Sequence, residues 1–140
     1  MYLHQEFTHT IIAAAIEVHK NLGPGLLETV YRFCLGREFV AHGLKYQTEV
    51  AIPLVYKGET TDHCFRLDFL VENEIVVELK SMEKILPVHE AQLLTYLRLS
   101  SKKVGLLINF NVPLLKQGIH RCILTNHLKN TEKTHEALRH

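Results

Sequence analysis

Apolar residues at Ile11, Ile12, Ala15, Ile16 and Val18 recur with the spacing of one helix face, after Thr8 and Thr10, either of which can serve as N-cap. The run Asn21-Leu22-Gly23-Pro24-Gly25 breaks that pattern. A second helix is predicted from Leu26 to Ala41, with Leu27, Val30, Tyr31, Cys34 and Leu35 at helical spacing and His42-Gly43 as its stop. The period then changes. Tyr46 to Tyr56 is rich in β-branched and aromatic residues, and Pro53 within it predicts a strand that bends or ends on a sheet edge. After the turn Lys57-Gly58-Glu59, the segments Cys64–Val71 and Ile75–Lys80 read as a hairpin across Glu72-Asn73-Glu74. Pro87 suits the first turn of a third helix reaching Leu99, and Val104–Phe110 reads as a strand buried on both faces. A last short strand is expected over Ile119–Leu124. The order ααβββαβ predicts an α/β chain with a mixed central β-sheet flanked by helices. Residues 1–126 are expected to form one domain, with a polar tail over 127–140.

Side-chain parity sharpens the hairpin. Leu67, Phe69, Val71, Ile75, Val77 and Leu79 all occupy odd positions and are predicted to share the buried face. That register sets Val71 opposite Ile75, with Asn73 tolerating a left-handed conformation in the loop, and puts Asp68 opposite Glu78. The second face then carries Arg66, Asp68, Leu70, Val76, Glu78 and Lys80. Adjacent carboxylates repel unless a cation or an extra proton neutralises them. A hard divalent cation with oxygen ligands does so, and a neighbouring Lys80 can orient or deprotonate a water. Spacing alone fits equally well a solvated face on which Lys80 is salt-bridged to one carboxylate.

Composition narrows the partners. The chain has 140 residues, 46% hydrophobic and 22% charged, with a formal net charge of +1. No global basic field draws in nucleic acid or an anionic membrane, so such a partner needs a local site. Cys34, Cys64 and Cys122 are isolated and odd in number, which argues against a disulfide framework or zinc ribbon and favours a reducing cytoplasm. No apolar run approaches the roughly 20 residues that cross a bilayer, and the N-terminus lacks signal-peptide character. His89-Glu90-Ala91-Gln92-Leu93 begins like a zincin helix but has Leu93 where the second histidine belongs. The glycines form neither a Walker A loop nor a dinucleotide fingerprint.

Asp68, then Glu78-Leu79-Lys80 on the next strand, then a helix with Gln92 and Tyr96, resembles the PD-(D/E)XK nuclease superfamily and, in the Gln-x-x-x-Tyr element, its RecB-like branch. Gly25-Leu26-Leu27-Glu28-Thr29-Val30-Tyr31 is similar to the motif of the small bacterial GxxExxY proteins of that superfamily, with further likeness in His19–Gly25 and Val104–Phe110. Leu67 replaces the proline of the superfamily's name. The resemblance implies a restriction-endonuclease-like core and a nuclease dependent on Mg²⁺ or Mn²⁺. It implies that Asp68, Glu78 and the carbonyl of Leu79 bind the metal, that Glu28 completes its shell, and that Lys80 positions the attacking water. Gln92 and Tyr96 would support the site or contact the phosphate.

The residues also have plainer accounts. Glu28 is four before Arg32, which suits a helix-surface ion pair, and His89, Gln92 and Tyr96 form a helix stripe that solvent exposure explains, opposite Leu93, Leu94 and Leu97. The expected function is hydrolysis of phosphodiester bonds in nucleic acid, with DNA as substrate and no membrane partner. The alternative is a catalytically inactive module of the same fold acting through homodimerisation or a protein partner. Lys84, Arg98, Lys102, Lys103, Lys116 and Arg121 are the candidate phosphate contacts.

Overall fold

The computed structural model describes residues 4–125; the tail expected over 127–140 lies outside them. Helix α1 spans Gln5–Leu22 and begins at His4, which holds a left-handed backbone. Thr8 and Thr10 are not the cap. Both lie inside the helix, where their hydroxyls donate back to the carbonyls of His4 (2.6 Å) and Glu6 (3.0 Å). Such back-bonding satisfies a threonine hydroxyl without ending the helix. Gly23 closes α1 at φ 70°, its N–H donating to the His19 carbonyl. Leu27 is extended, so helix α2 runs Glu28–Ala41 and begins two residues after the predicted Leu26.

Five strands follow: β1 Tyr46–Tyr56, β2 Glu59–Val71, β3 Ile75–Lys80, β4 Val104–Asn109 and β5 Ile119–Ile123, with helix α3, Pro87–Ser100, between β3 and β4. They form one sheet in chain order, antiparallel except for the β3–β4 pair. A parallel pair needs a crossover, and α3 supplies it. The mixed sheet flanked by helices is the architecture expected from the order of elements. β1 lies on an edge and its pairing slips between Pro53 and Val55, which is where a residue without an N–H is tolerated.

Both faces of the sheet are covered. On one, Ile11 and Ala15 of α1 and Tyr31, Leu35 and Phe39 of α2 pack on Phe69, Val71, Val77, Leu79, Leu106 and Ile108. On the other, Leu93, Leu94 and Leu97 of α3 pack on Leu70, Val76, Leu107 and Cys122. The hairpin register is the predicted one, with Val71 opposite Ile75 and with Glu72 and Asn73 both at positive φ. Leu67 departs from the parity pattern: the other five odd residues join the α1–α2 core, whereas Leu67 packs with the α3 cluster. The regular β2–β3 ladder ends at Phe69, so strict alternation does not carry through Asp68 to Leu67.

Close approaches at two of the glycines differ in kind. A Cβ on Gly105 would lie 2.9 Å from a Leu93 methyl carbon, a mobile side-chain tip, whereas one on Gly118 would lie 2.1 Å from the backbone oxygen of Asn109. Backbone cannot step aside as a leucine tip can. Gly118→Ala is therefore expected to destabilise the fold by about 1–3 kcal/mol, the ordinary range for overpacking, and Gly105→Ala by less. Urea midpoints check the order; equal midpoints would show that the Gly118 contact relaxes freely.

Candidate functional site

The β2–β3 ladder pairs Val71 with Ile75, Leu70 with Val76 and Phe69 with Val77, and then side chains take over. The N–H of Asp68 donates to Glu78 Oε1 at 3.0 Å, and the N–H of Leu79 donates to Asp68 Oδ2 at 2.8 Å. The Asp68 carbonyl accepts the Thr48 hydroxyl of β1 at 3.0 Å. Asp68 Oδ1 faces Arg32 Nη1 of α2 at 3.4 Å, and Arg32 Nη2 lies 3.2 Å from Glu49 Oε1. Every polar group of Asp68 thus has a partner, which holds the carboxylate in one orientation.

Burial decides between the two accounts of this face. Glu78 is only 9% exposed because α3 covers the second face, so a solvated surface is excluded. Burial, and secondarily the Asp68 charge, push its carboxyl up from 4.5 to about 9; Lys80 opposes them more weakly. Lys80 is half-buried at the end of β3 and forms no ion pair among the described residues, so the salt-bridged account also fails. Tyr96 of α3 packs its ring on Phe65 at 5.5 Å between centroids. Its hydroxyl is pushed above the ordinary tyrosine range by burial, then by the charges of Glu78 and Asp68. Gln92, one turn earlier, is exposed and makes no hydrogen bond among the described residues. His89 does local work instead: its Nδ1 accepts the Leu86 N–H at 2.8 Å, at the start of α3.

The Gly25-to-Tyr31 stretch has a structural account. Tyr31 stacks on Phe110 at 4.4 Å, donates its hydroxyl to the Gly23 carbonyl, and accepts the Leu26 N–H at 3.2 Å. Ser81, next after Lys80, donates to the Leu26 carbonyl. Asn109 lies beside Lys80 in the parallel register, and its side chain binds both the N–H and the carbonyl of Met82. The entrance to α2 and the exit of β3 are thereby fixed to each other. Glu28 opens α2 at the surface and makes no hydrogen bond or ion pair among the described residues; the expected pair with Arg32 is absent because Arg32 turns to Asp68 and Glu49. From the sequence, Arg32 enters only as a partner for Glu28, one helical turn away on the same face, and not as part of the site. Among the described residues no three His, Cys, Asp or Glu side chains converge. The dispersed cations do not share a face: Lys84 follows the end of β3, whereas Lys102 and Lys103 precede the opposite end of the β3–β4 pair.

The Glu78 shift has a definite sign. The folded chain holds this proton up to about 9 while the unfolded chain releases it near 4.5, so the group's stabilising contribution is full below 4.5 and is lost as pH rises through 9. In chelator, urea midpoints of the wild type should fall between pH 5 and pH 9 more steeply than those of Glu78→Gln. Parallel pH profiles for the two proteins would contradict the buried, protonated carboxyl.

No helix among the described residues is long and apolar enough to cross a membrane. No curated protein matches the chain. Among solved structures, the crystal structure of SSO0001 is similar, with a TM-score of 0.54 and 18% identity over 96% of this chain. This chain spans 65% of the length of that one, and the likeness supports the fold. The family model described as the PD-(D/E)XK nuclease superfamily matches residues 5–122, a stretch that includes α1, the Asp68–Glu78 pair and most of β5. With Asp68, Glu78 and Lys80 held on the β2–β3 hairpin inside that match, the chain belongs to the PD-(D/E)XK nuclease superfamily.

Proposed function

We propose that this protein is a nuclease dependent on Mg²⁺ or Mn²⁺ that hydrolyses phosphodiester bonds in DNA, and that it is one of the GxxExxY proteins of the RecB-like branch. The observation that carries the reading is a carboxyl pair, Glu78 buried and Asp68 half-buried, held side by side by backbone N–H groups and offset in the chain by a proton on Glu78 and the Arg32 contact at Asp68. Members of the superfamily are typically dependent on a divalent metal. The donor set fits such an ion: two carboxylates, and no nitrogen or sulfur ligand converging with them among the described residues. Mg²⁺ commonly binds through one or two carboxylates and keeps its remaining positions for water and substrate phosphate. Asp68, Glu78 and the Leu79 carbonyl would hold it; Glu28, exposed at the start of α2, would join them only by turning toward the pair, because no third carboxylate converges on it among the described residues.

When bound, the cation supplies Lewis-acid stabilisation of the charge that develops on the scissile phosphate. Lys80 orients the attacking water and, as an ammonium, adds charge stabilisation beside the phosphate. Tyr96 lies close enough to feel both carboxylates, which supports a role for it in fixing the phosphate, with Gln92 as a second donor from the same helix. The GxxExxY assignment draws support from Tyr31, whose hydroxyl ties down the loop that leads to Glu28.

A second reading, a non-catalytic module that binds a second copy or another protein, draws on one observation. Leu27, Phe33 and Val40 of the α2 region are 74%, 66% and 67% exposed, an unusual display of large apolar side chains along one helix.

Supercoiled plasmid and single-stranded oligonucleotides incubated with the purified chain in Mn²⁺ separate the two readings. Cleavage should require the metal and should drop by at least about 100-fold in Asp68→Asn, Glu78→Ala and Lys80→Ala, in keeping with the loss of a metal ligand or charge-stabilising group. Cleavage traces identical for wild type and all three variants would defeat the nuclease reading.

A further inference from the structure

Arg32 divides its guanidinium between two carboxylates, with Nη1 3.4 Å from Asp68 Oδ1 and Nη2 3.2 Å from Glu49 Oε1. Asp68 Oδ2 accepts the Leu79 N–H at 2.8 Å, whereas Oδ1 has the longer contact, 3.4 Å to Arg32, which makes Oδ1 the less engaged oxygen toward a cation, and Arg32 faces that atom. The side chains of Arg32 and Asp68 are 25% and 22% exposed, which limits solvent screening of their contact, while Glu49 at 53% opens to solvent.

Glu49 itself is unusual. It adopts φ 52° in the middle of β1, between Thr48, paired with Phe69, and Val50, paired with Leu67. A left-handed backbone is costly for a residue with a Cβ, and such strain gathers where a side chain has a task. The strained point lies across the ladder from Asp68, and its carboxylate meets the second arm of the same arginine.

We infer that Arg32 is the resident counter-cation of the carboxylate pair: it neutralises Asp68 while no metal is bound, competes with an incoming divalent cation for Oδ1, and is retained by Glu49 once displaced. The inference rests on the metal-dependent reading above. Two cations at one carboxylate oxygen repel, so Arg32 must yield as a metal arrives. Glu49 prevents the displaced guanidinium from being left without a partner. Arg32 is in this sense a positioning residue that acts through Asp68.

Calorimetric titration of the full chain with Mn²⁺ tests it on the wild type, Arg32→Gln, Glu49→Gln and Asp68→Asn. Removing the competitor should tighten Mn²⁺ binding on the order of tenfold in Arg32→Gln, as expected for one nearby charge at moderate dielectric. Glu49→Gln leaves Arg32 with Asp68 alone and should weaken binding several-fold. The opposite signs separate competition from scaffolding, because lost scaffolding would weaken both. Should Asp68→Asn abolish binding while Arg32→Gln binds no tighter than wild type, the metal reading stands and the counter-cation role is overturned. If none of the four binds Mn²⁺, both fall. Where Arg32→Gln does not fold, as judged by circular-dichroism melting, the exposed Glu49→Gln decides alone: weaker binding supports the role, and unchanged or tighter binding overturns it.

Discussion

Asp68 and Glu78 meet across β2 and β3 both side chain to side chain and by exchanging hydrogen bonds with backbone: Glu78 accepts the Asp68 N–H, and Asp68 accepts the Leu79 N–H. Side-chain oxygens thereby take the place that carbonyls hold in a regular antiparallel ladder. The exchange fixes both carboxylates and keeps two backbone amides satisfied in a buried setting. It also ends regular pairing at Phe69, and beyond Asp68 β2 continues, among the described residues, with β1 as its ladder partner. The electrostatic consequence follows from the same contacts. A carboxyl that is buried, next to a second carboxylate and only weakly served by Lys80 keeps its proton far above the ordinary range.

The surrounding elements serve to hold that exchange in place. α3 seals the second face through Leu93, Leu94 and Leu97, which is why Glu78 is buried. α2 delivers Arg32 from the other direction. Tyr31, Phe110, Asn109 and Ser81 tie the start of α2 to the segment after Lys80, so the helix that carries Arg32 and the strand that carries Glu78 keep a fixed relation. Gly118 lets the chain pass against the Asn109 carbonyl, where a Cβ would collide.

The Asp68–Glu78 facing was readable from sequence because strand alternation is strict and six apolar residues could share a face in only one register. The same rule misplaced Leu67, since alternation says nothing of where a ladder breaks, and the break here is made by the very carboxylates whose register it revealed. Thr8 and Thr10 had the right chemistry for a cap, but helix entry is set by His4, near Glu74 of the β2–β3 turn. Such a contact spans seventy residues and leaves no local trace. Burial of Glu78 was illegible for the same reason: it depends on which face α3 covers. Arg32 stood in plain view one turn from Glu28, yet only tertiary structure shows that its partners are on β1 and β2.

A net charge of +1 first suggests little attraction for a polyanion. The local ledger is more informative. With Glu78 protonated, the charges of Arg32 and Lys80 balance those of Asp68 and Glu49, so the site itself is near neutral. On the metal-dependent reading, binding of a divalent cation with loss of the Glu78 proton would raise the charge of this cluster by one unit, at the point where a phosphate would dock. The attraction for nucleic acid would then be conditional on metal and confined to a few ångströms, within the screening length of physiological salt. A chain built this way needs no basic surface. Its binding would gain from a local phosphate contact and lose comparatively little to salt, because few counterions are released when few cations touch the backbone.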